Sequence, residues 1–159
     1  MADNPIATRA HEWLAKSAGT WDVKGLYYFG PGQEPLDATG TESIEMVGRF
    51  WQKGDLKIEL FDSVIEGVTY IGFDPIRQVF VSTWIDSANP YLYRYEGSFD
   101  ETTNLLSMVG TNTDPSTGKP STYRSLAGYD LPNERSLSLT IEVPGRDEAE
   151  ILSYEYKRR

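Results

Sequence analysis

Residues 136–143 read SLSLTIEV, and apolar and polar side chains alternate along the whole stretch. Two leucines, an isoleucine and a valine fall on one face, while serine, threonine and glutamate side chains fall on the other. Alternation with a period of two predicts a β-strand with one buried face and one face in water. Residues 150–158 alternate in the same way, with Leu152, Tyr154 and Tyr156 on one face.

The period of two extends back from these stretches to residue 20. The predicted strands are 20–29, 39–47, 50–53 running on through 56–62, 68–73, 79–86, 91–99, 105–113, 122–129, 136–143 and 150–158. Segments rich in Gly, Pro, Asn and Asp separate them at intervals of roughly 8–12 residues, which is typical of all-β sandwiches and barrels. The connections are short, so successive strands should pair antiparallel. Because closure removes both exposed edges, we predict an up-and-down antiparallel barrel of about ten strands with room for a ligand.

One segment, at about residues 5–17, has the period of a helix instead. Its apolar side chains recur at the spacing of one helical face: Ile6, Ala10, Trp13 and Leu14. Asn4 suits the position before the first turn, Pro5 suits the first turn, and Gly19 suits the end of a helix. We expect this helix to pack on one end of the barrel.

The chain has 159 residues, and its 15 Lys and Arg against 24 Asp and Glu give a net charge of −9. This length suits a single domain over residues 1–159. The acidic balance argues against nucleic-acid binding, which needs a basic face. The sequence contains no cysteine, which excludes disulfides, thiolate nucleophiles and cysteine zinc sites.

No apolar run is long enough for a membrane-spanning helix. The N-terminal sequence MADNPIATRAHEW lacks the basic start and apolar stretch of a secretory signal. We therefore expect a cytoplasmic protein without membrane contact.

Residues at the two ends of the strand pattern predict how the barrel closes. Gly19-Thr20-Trp21 lies at the start of the first strand, and Arg158 and Arg159 end the last one. In a closed barrel these strands are neighbours. Arg158 would then stack on the Trp21 indole, while its N–H groups donate to carbonyls at the helix–strand junction.

The same residues carry a family resemblance. A Gly-x-Trp motif that opens the first strand, together with an arginine that closes the last, resembles the lipocalin-like calycin barrels. Nearly the whole chain resembles the bacterial domain-of-unknown-function family 1579, on the motifs His11-x-x-Leu14, Gly19-Thr20-Trp21, Gly48-Arg49, Gly72-Phe73-Asp74, Ser82-Thr83-Trp84-Ile85-Asp86, Gly97 with Asp100, Asp114-Pro115 through Gly118-Lys119, and Arg158. The chain departs from that family at Phe73, where a tyrosine is common, and at Ser153, where a glutamate is common. The resemblance implies a lipocalin-like barrel and no particular activity.

Trp84 and Asp86 are the first candidates for ligand binding. They share one face of a predicted strand, but the opposite face is also apolar, so periodicity does not decide which face points inward. The resemblance favours an inward Trp84, because the block that contains it is the most specific of the shared motifs. Asp86 would then lie near the mouth, where it either caps the turn at Asn89-Pro90 or orients a polar group of the ligand.

Three tyrosines and one arginine complete the predicted ligand site: Tyr70, Tyr93, Tyr95 and Arg124. Tyrosines inside a barrel provide apolar walls with polar tips. An inward Arg124 would pair with an anionic ligand or with an internal carboxylate such as Glu59 or Glu45; otherwise it is a surface residue.

His11 is the single histidine of the chain, and it lies on the predicted helix rather than on a strand. A metal site built from several imidazoles is therefore excluded. A haem ligand should come from the cavity wall, so we expect no haem, no other cofactor and no metal. We expect His11 to form a hydrogen bond to the end of the barrel.

Together these features predict a small-molecule binding protein with an apolar or aromatic ligand inside the barrel and no catalytic residues. One alternative is a cofactor-independent lyase, isomerase or cyclase that uses Asp86, Arg124 or a tyrosine as acid or base. Another is a structural or partner-binding barrel whose interior is filled. A homodimer is compatible with the sequence.

Overall fold

The computed structural model describes residues 8–159, which form one helix and ten strands. The helix is α1 (Arg9–Ala15), and the strands are β1 (Gly19–Tyr27), β2 (Leu36–Val47), β3 (Trp51–Leu60), β4 (Ser63–Asp74), β5 (Val79–Asp86), β6 (Tyr93–Asp100), β7 (Leu105–Thr113), β8 (Pro120–Asp130), β9 (Glu134–Glu142) and β10 (Ala149–Arg158). Each strand pairs antiparallel with its neighbours in sequence, and β1 also pairs with β10. The predicted all-β, up-and-down barrel with one N-terminal helix is confirmed.

The pairing of β1 with β10 closes the barrel. Its register runs from Trp21 opposite Arg158 to Tyr27 opposite Leu152. Every one of the ten strands therefore has two partners, and their backbone N–H and C=O groups are satisfied within the sheet.

The helix is shorter than the sequence predicts. It spans Arg9–Ala15, and its N-cap is Thr8, whose side chain accepts from the His11 backbone N–H. The predicted cap at Asn4 and first turn at Pro5 lie outside the described residues. The prediction that Gly19 ends the helix is wrong, because Lys16 is the C-cap and Gly19 already belongs to β1.

Gly19 has a different role, at the junction of helix and barrel. Its φ of 136° lies in a region that L side chains rarely adopt, and a Cβ there would lie 2.6 Å from Arg158 Nη1. The missing side chain leaves room for the arginine that closes the barrel.

Helix α1 covers one end of the barrel, which we call the helix end. Trp13 lies against Phe80, Phe99 and Tyr129, with ring centroids 5.6, 4.2 and 4.7 Å apart. The Leu14 carbonyl accepts from Gln52 Nε2 at 2.9 Å. The connections between β1 and β2, between β5 and β6 and between β9 and β10 lie at the opposite end, which we call the mouth.

Two hydrophobic clusters line the inside of the barrel. The first comes from α1 and β5–β8 and contains Leu14, Phe80, Tyr93, Tyr95, Leu106, Met108, Tyr123 and Tyr129. The second comes from β1–β3 and β10 and contains Trp21, Val23, Ala38, Ile44, Ile58, Tyr154 and Tyr156. Tyrosines contribute to both clusters, so polar phenol groups are distributed among the apolar side chains of the interior.

Candidate functional site

The helix end is held by Trp21 and Arg158. Trp21 is 0% exposed, and its indole N–H donates to the Ser17 carbonyl at 2.9 Å. The Arg158 guanidinium carbon lies 4.3 Å from the Trp21 ring centroid. Its N–H groups donate to the carbonyls of Ala18 at 2.6 Å and Lys16 at 2.8 Å. The arginine therefore ties the end of β10 to the segment between α1 and β1.

A buried ion pair, which sequence reasoning missed, lies beneath this stack. Arg135 on β9 donates to the carboxylate of Glu42 on β2, and their side chains are only 9% and 7% exposed. The Arg135 guanidinium carbon lies 4.3 Å from the ring centroids of both Trp21 and Tyr156. Burial by itself would lower the pKa of Arg135, but the charge and hydrogen bond of Glu42, together with Tyr129 and Tyr156, raise it overall and keep the guanidinium ionised. The positive charge of Arg135 on β9 and the negative charge of Glu42 on β2 thus neutralise each other inside the barrel.

His11 joins the helix to β4. Its Nδ1 accepts from the Thr8 backbone N–H at 3.0 Å, and its Nε2 donates to the Phe73 carbonyl at 3.0 Å. The ring also contacts Phe50 and Phe73 edge-on, with centroids 5.0 and 5.9 Å away. Both ring nitrogens are thereby engaged with the protein, and the expected hydrogen bond to the barrel is present. The absence of haem stays a prediction.

The mouth contains the aromatic residues that the sequence singles out. Trp84 packs against the first hydrophobic cluster, on the same inward face of β5 as the buried Phe80. A Cβ on Gly67 of the neighbouring strand would lie 2.0 Å from the Trp84 ring, so glycine there leaves the space that the ring occupies. Trp84 therefore faces the interior rather than the solvent outside the wall.

Asp86 follows Trp84 on this inward face. One carboxylate oxygen accepts from Trp84 Nε1 at 2.8 Å, and the other accepts from the Ala88 backbone N–H at 2.8 Å. Asp86 is half-buried and has no ion-pair partner among residues 8–159. It holds the turn and the indole together, and a negative charge remains at the mouth.

Four tyrosines face this carboxylate from other strands: Tyr27, Tyr93, Tyr95 and Tyr154. Burial raises the pKa of each, and the negative charge of Asp86 raises it further. Tyr93 and Tyr95 belong to the first interior cluster and Tyr154 to the second, and Tyr27 is in phase with the inward residues of β1, so all four side chains are on the inside of the barrel. We call the group formed by Tyr27, Trp84, Asp86, Tyr93, Tyr95 and Tyr154 the mouth site.

Solvent reaches several inward side chains near the mouth. Ser82, Trp84 and Asp86 on β5 are only half-buried, although they face inward. Leu139 and Ile141 on β9 pack against the first cluster and are half-buried as well. A fully packed core excludes solvent from such side chains, so the interior is accessible from the mouth.

Two predicted site residues, Tyr70 and Arg124, lie on the outer face of the barrel wall instead of the predicted inner face. Tyr70 is 38% exposed on the outer wall, because Ile71 and Phe73 take the inward positions of β4. The Arg124 side chain is 50% exposed and pairs with Glu142 at 3.3 Å outside the barrel. Neither residue lines the interior, and the predicted inward partners of Arg124, Glu59 and Glu45, do not contact it.

Two concavities lie on the outer wall. One, of about 380 Å³, runs over β3–β5, includes Lys57, Glu66 and Ile85, and reaches the mouth site at Asp86. The other, of about 530 Å³, lies over β1–β3 beside Arg159. Both are bordered by exposed charged side chains, so the aromatic mouth is the better candidate for a ligand.

Residues 8–159 include no helix with the length and hydrophobicity needed to cross a membrane. In the same part of the chain, no three His, Asp or Glu side chains are grouped so that they could hold a metal ion.

A family model described as "Protein of unknown function (DUF1579)" matches residues 7–158. The chain belongs to this family. The resemblance inferred from the sequence motifs is therefore confirmed, and the barrel described above is that of a DUF1579 protein. The family description assigns no activity.

The fold of this DUF1579 chain also occurs in a solved structure. The crystal structure of Rv2717c from M. tuberculosis superposes with a TM-score of 0.76 and covers 97% of this chain and 99% of that one, at 14% sequence identity. At this identity the likeness concerns the fold alone. No curated protein matches the chain.

Proposed function

We propose that the mouth site binds a small apolar or aromatic molecule inside the barrel. The observation that carries the proposal is the inward, half-buried ring of Trp84, which is fixed by Asp86 and remains accessible to solvent from the mouth. Aromatic walls with a few placed polar groups are typical of small-molecule sites. Trp84, Tyr93 and Tyr95 would supply the apolar contacts, and Asp86 would orient a polar group of the ligand.

The chemistry of the tyrosines favours binding over catalysis. A tyrosine that acts as a base needs a pKa lowered towards neutrality, whereas burial raises the pKa of Tyr93, Tyr95 and Tyr154. These phenols stay protonated at neutral pH, and that of Tyr93 donates to Asn89 Oδ1 at 3.4 Å. Arg124, the other group proposed for an enzyme, lies outside the barrel.

We propose that the protein acts in the bacterial cytoplasm, consistent with a sequence that contains no cysteine. Its net charge of −9 is a reason to expect no nucleic-acid partner. A homodimer remains compatible with the proposal, since the mouth site lies within one barrel.

A titration with the neutral dye N-phenyl-1-naphthylamine, whose emission rises in apolar surroundings, tests the proposal. Trp84→Phe should weaken binding about five-fold, because the smaller ring buries less area against the dye. Trp51→Phe is the matched control, since Trp51 is 44% exposed on the outer wall. Wild-type protein that does not bind the dye, or a Trp84→Phe variant with wild-type affinity, would contradict the proposal.

A further inference from the structure

The mouth site combines aromatic rings with one carboxylate, that of Asp86, which has no ion-pair partner within residues 8–159. Asp86 accepts two hydrogen bonds, from Trp84 and from the Ala88 backbone, but neither donor carries a charge. Its negative charge is therefore solvated by dipoles and is not neutralised.

Within residues 8–159, no basic side chain forms an ion pair with Asp86, although Lys57 lines the same outer concavity. On the surrounding strands the basic residues occupy exposed, outward positions: Lys24, Lys57, Arg94 and Arg124. Lys119 and Arg146 are exposed in loops. Arg135 does face inward, but it lies at the helix end and is paired with Glu42. Within residues 8–159, the charge at the mouth is thus negative.

The aromatic groups add to this negative character. Tyrosine and tryptophan rings present a negative face to a ligand, and a cation within about 6 Å of such a face is attracted to it. Tyr93 packs edge-to-face against Tyr123, with centroids 5.4 Å apart and an interplanar angle of 74°, which holds the Tyr93 ring in place. On β1, burial and then the negative charge of Asp86 raise the pKa of Tyr27.

From this arrangement we infer that the ligand of the mouth site is an organic cation, an ammonium group carried on an apolar or aromatic body. Asp86 would face the ammonium charge while Trp84 and the tyrosine rings surround its substituents. The inference rests on the proposed function, and it adds the charge of the ligand. An anionic molecule such as a fatty acid would meet Asp86 without a partner for its carboxylate and would be disfavoured.

Two probes of the same shape measure how much the positive charge of the ligand contributes to binding. The phenyltrimethylammonium ion and tert-butylbenzene differ only by a positive nitrogen in place of a carbon, and each would be titrated against protein that carries N-phenyl-1-naphthylamine. Wild-type protein should release the dye at a lower concentration of the cation than of its neutral isostere. The ratio compared is the affinity for the cation divided by the affinity for tert-butylbenzene. Asp86→Asn should lower this ratio about ten-fold, because one charge-assisted contact contributes on that scale.

Asp62→Asn is the matched control, because it removes one exposed carboxylate from the β3–β4 turn at the same end of the barrel. It should leave the ratio unchanged. Preference for tert-butylbenzene in wild-type protein, or an equal ratio in wild-type and Asp86→Asn protein, would overturn the inference while the dye still reports a binding site. If the dye itself does not bind, the proposed function fails and the inference fails with it.

Discussion

The indole N–H of Trp84 donates a 2.8 Å hydrogen bond to the carboxylate of Asp86, two positions further along β5. Residues two apart on a strand share a face, so one bond fixes both groups on the inside of the barrel. The other oxygen of Asp86 accepts from the Ala88 backbone N–H and anchors the turn that follows. Ring, carboxylate and turn therefore form one rigid unit at the mouth.

Gly67→Ala should displace this unit, because a Cβ at residue 67 would lie 2.0 Å from the Trp84 ring. Gly72→Ala, on the same strand, is the matched variant, since its Cβ would lie 2.5 Å from the Trp51 ring on the outer wall. Both should cost roughly 1–3 kcal/mol of stability through overpacking. Only Gly67→Ala should weaken binding of N-phenyl-1-naphthylamine, about ten-fold; equal affinities in the two variants would contradict the placement of the site.

Trp21→Ala should lower the free energy of unfolding by roughly 3–5 kcal/mol, as the loss of a fully buried indole does. The variant removes the ring on which Arg158 stacks and leaves the Ser17 carbonyl without its donor. Urea denaturation measures the effect. Trp51→Ala, at a residue that is 44% exposed, should cost about 1 kcal/mol. A Trp21→Ala midpoint equal to that of wild type would show that the stack does not stabilise the fold.

Arg135→Ala should destabilise the barrel by roughly 3–5 kcal/mol, because Glu42 is left as an uncompensated buried charge. Arg124→Ala is the control, because it removes an ion pair of the exposed outer wall that is worth about 1 kcal/mol or less. Chemical denaturation of both variants at neutral pH gives the comparison. Similar losses in the two variants would mean that burial of the Glu42–Arg135 pair does not matter for stability.

Alternation in the sequence was sufficient to predict the barrel but not all of its interior. The strand predicted at residues 136–143 begins two residues too late, since β9 starts at Glu134, and this omits Arg135, which is in phase with Leu137 and faces inward. Extending the alternation by one residue would have found it. Its partner Glu42 is 93 positions away in sequence, and no local pattern connects the two.

The misplaced Tyr70 has a different cause. Val68, Tyr70 and Gly72 form one face of β4, and Thr69, Ile71 and Phe73 form the other, so both faces contain large apolar side chains. The actual choice depends on a contact between strands: the Trp84 ring needs a glycine opposite it, and Gly67 on the inward face provides that space. Such a contact is visible only once the register of β4 and β5 is known.

Stability should fall in alkaline solution, because burial raises the pKa of Tyr93, Tyr123 and Tyr154. In the unfolded chain these phenols ionise at a pKa of about 10. Above that pH the folded state holds more protons than the unfolded state, so the stabilisation is complete below about pH 10 and is lost as the pH rises. Urea midpoints measured from pH 8 to 11 should decline above pH 10. A constant midpoint would contradict the burial of these phenols.

The most direct measurement of the central claim uses the indole N–H signals of the four tryptophans in a ¹H–¹⁵N NMR spectrum, assigned by single Trp→Phe variants. On titration with N-phenyl-1-naphthylamine, the Trp84 signal should shift strongly, since its ring lines the mouth, together with the backbone signals of Tyr93 and Tyr95. The Trp51 signal, from the outer wall, should stay in place. Shifts centred on Trp51 and Tyr70 with an unchanged Trp84 signal would place the ligand outside the barrel and contradict the claim.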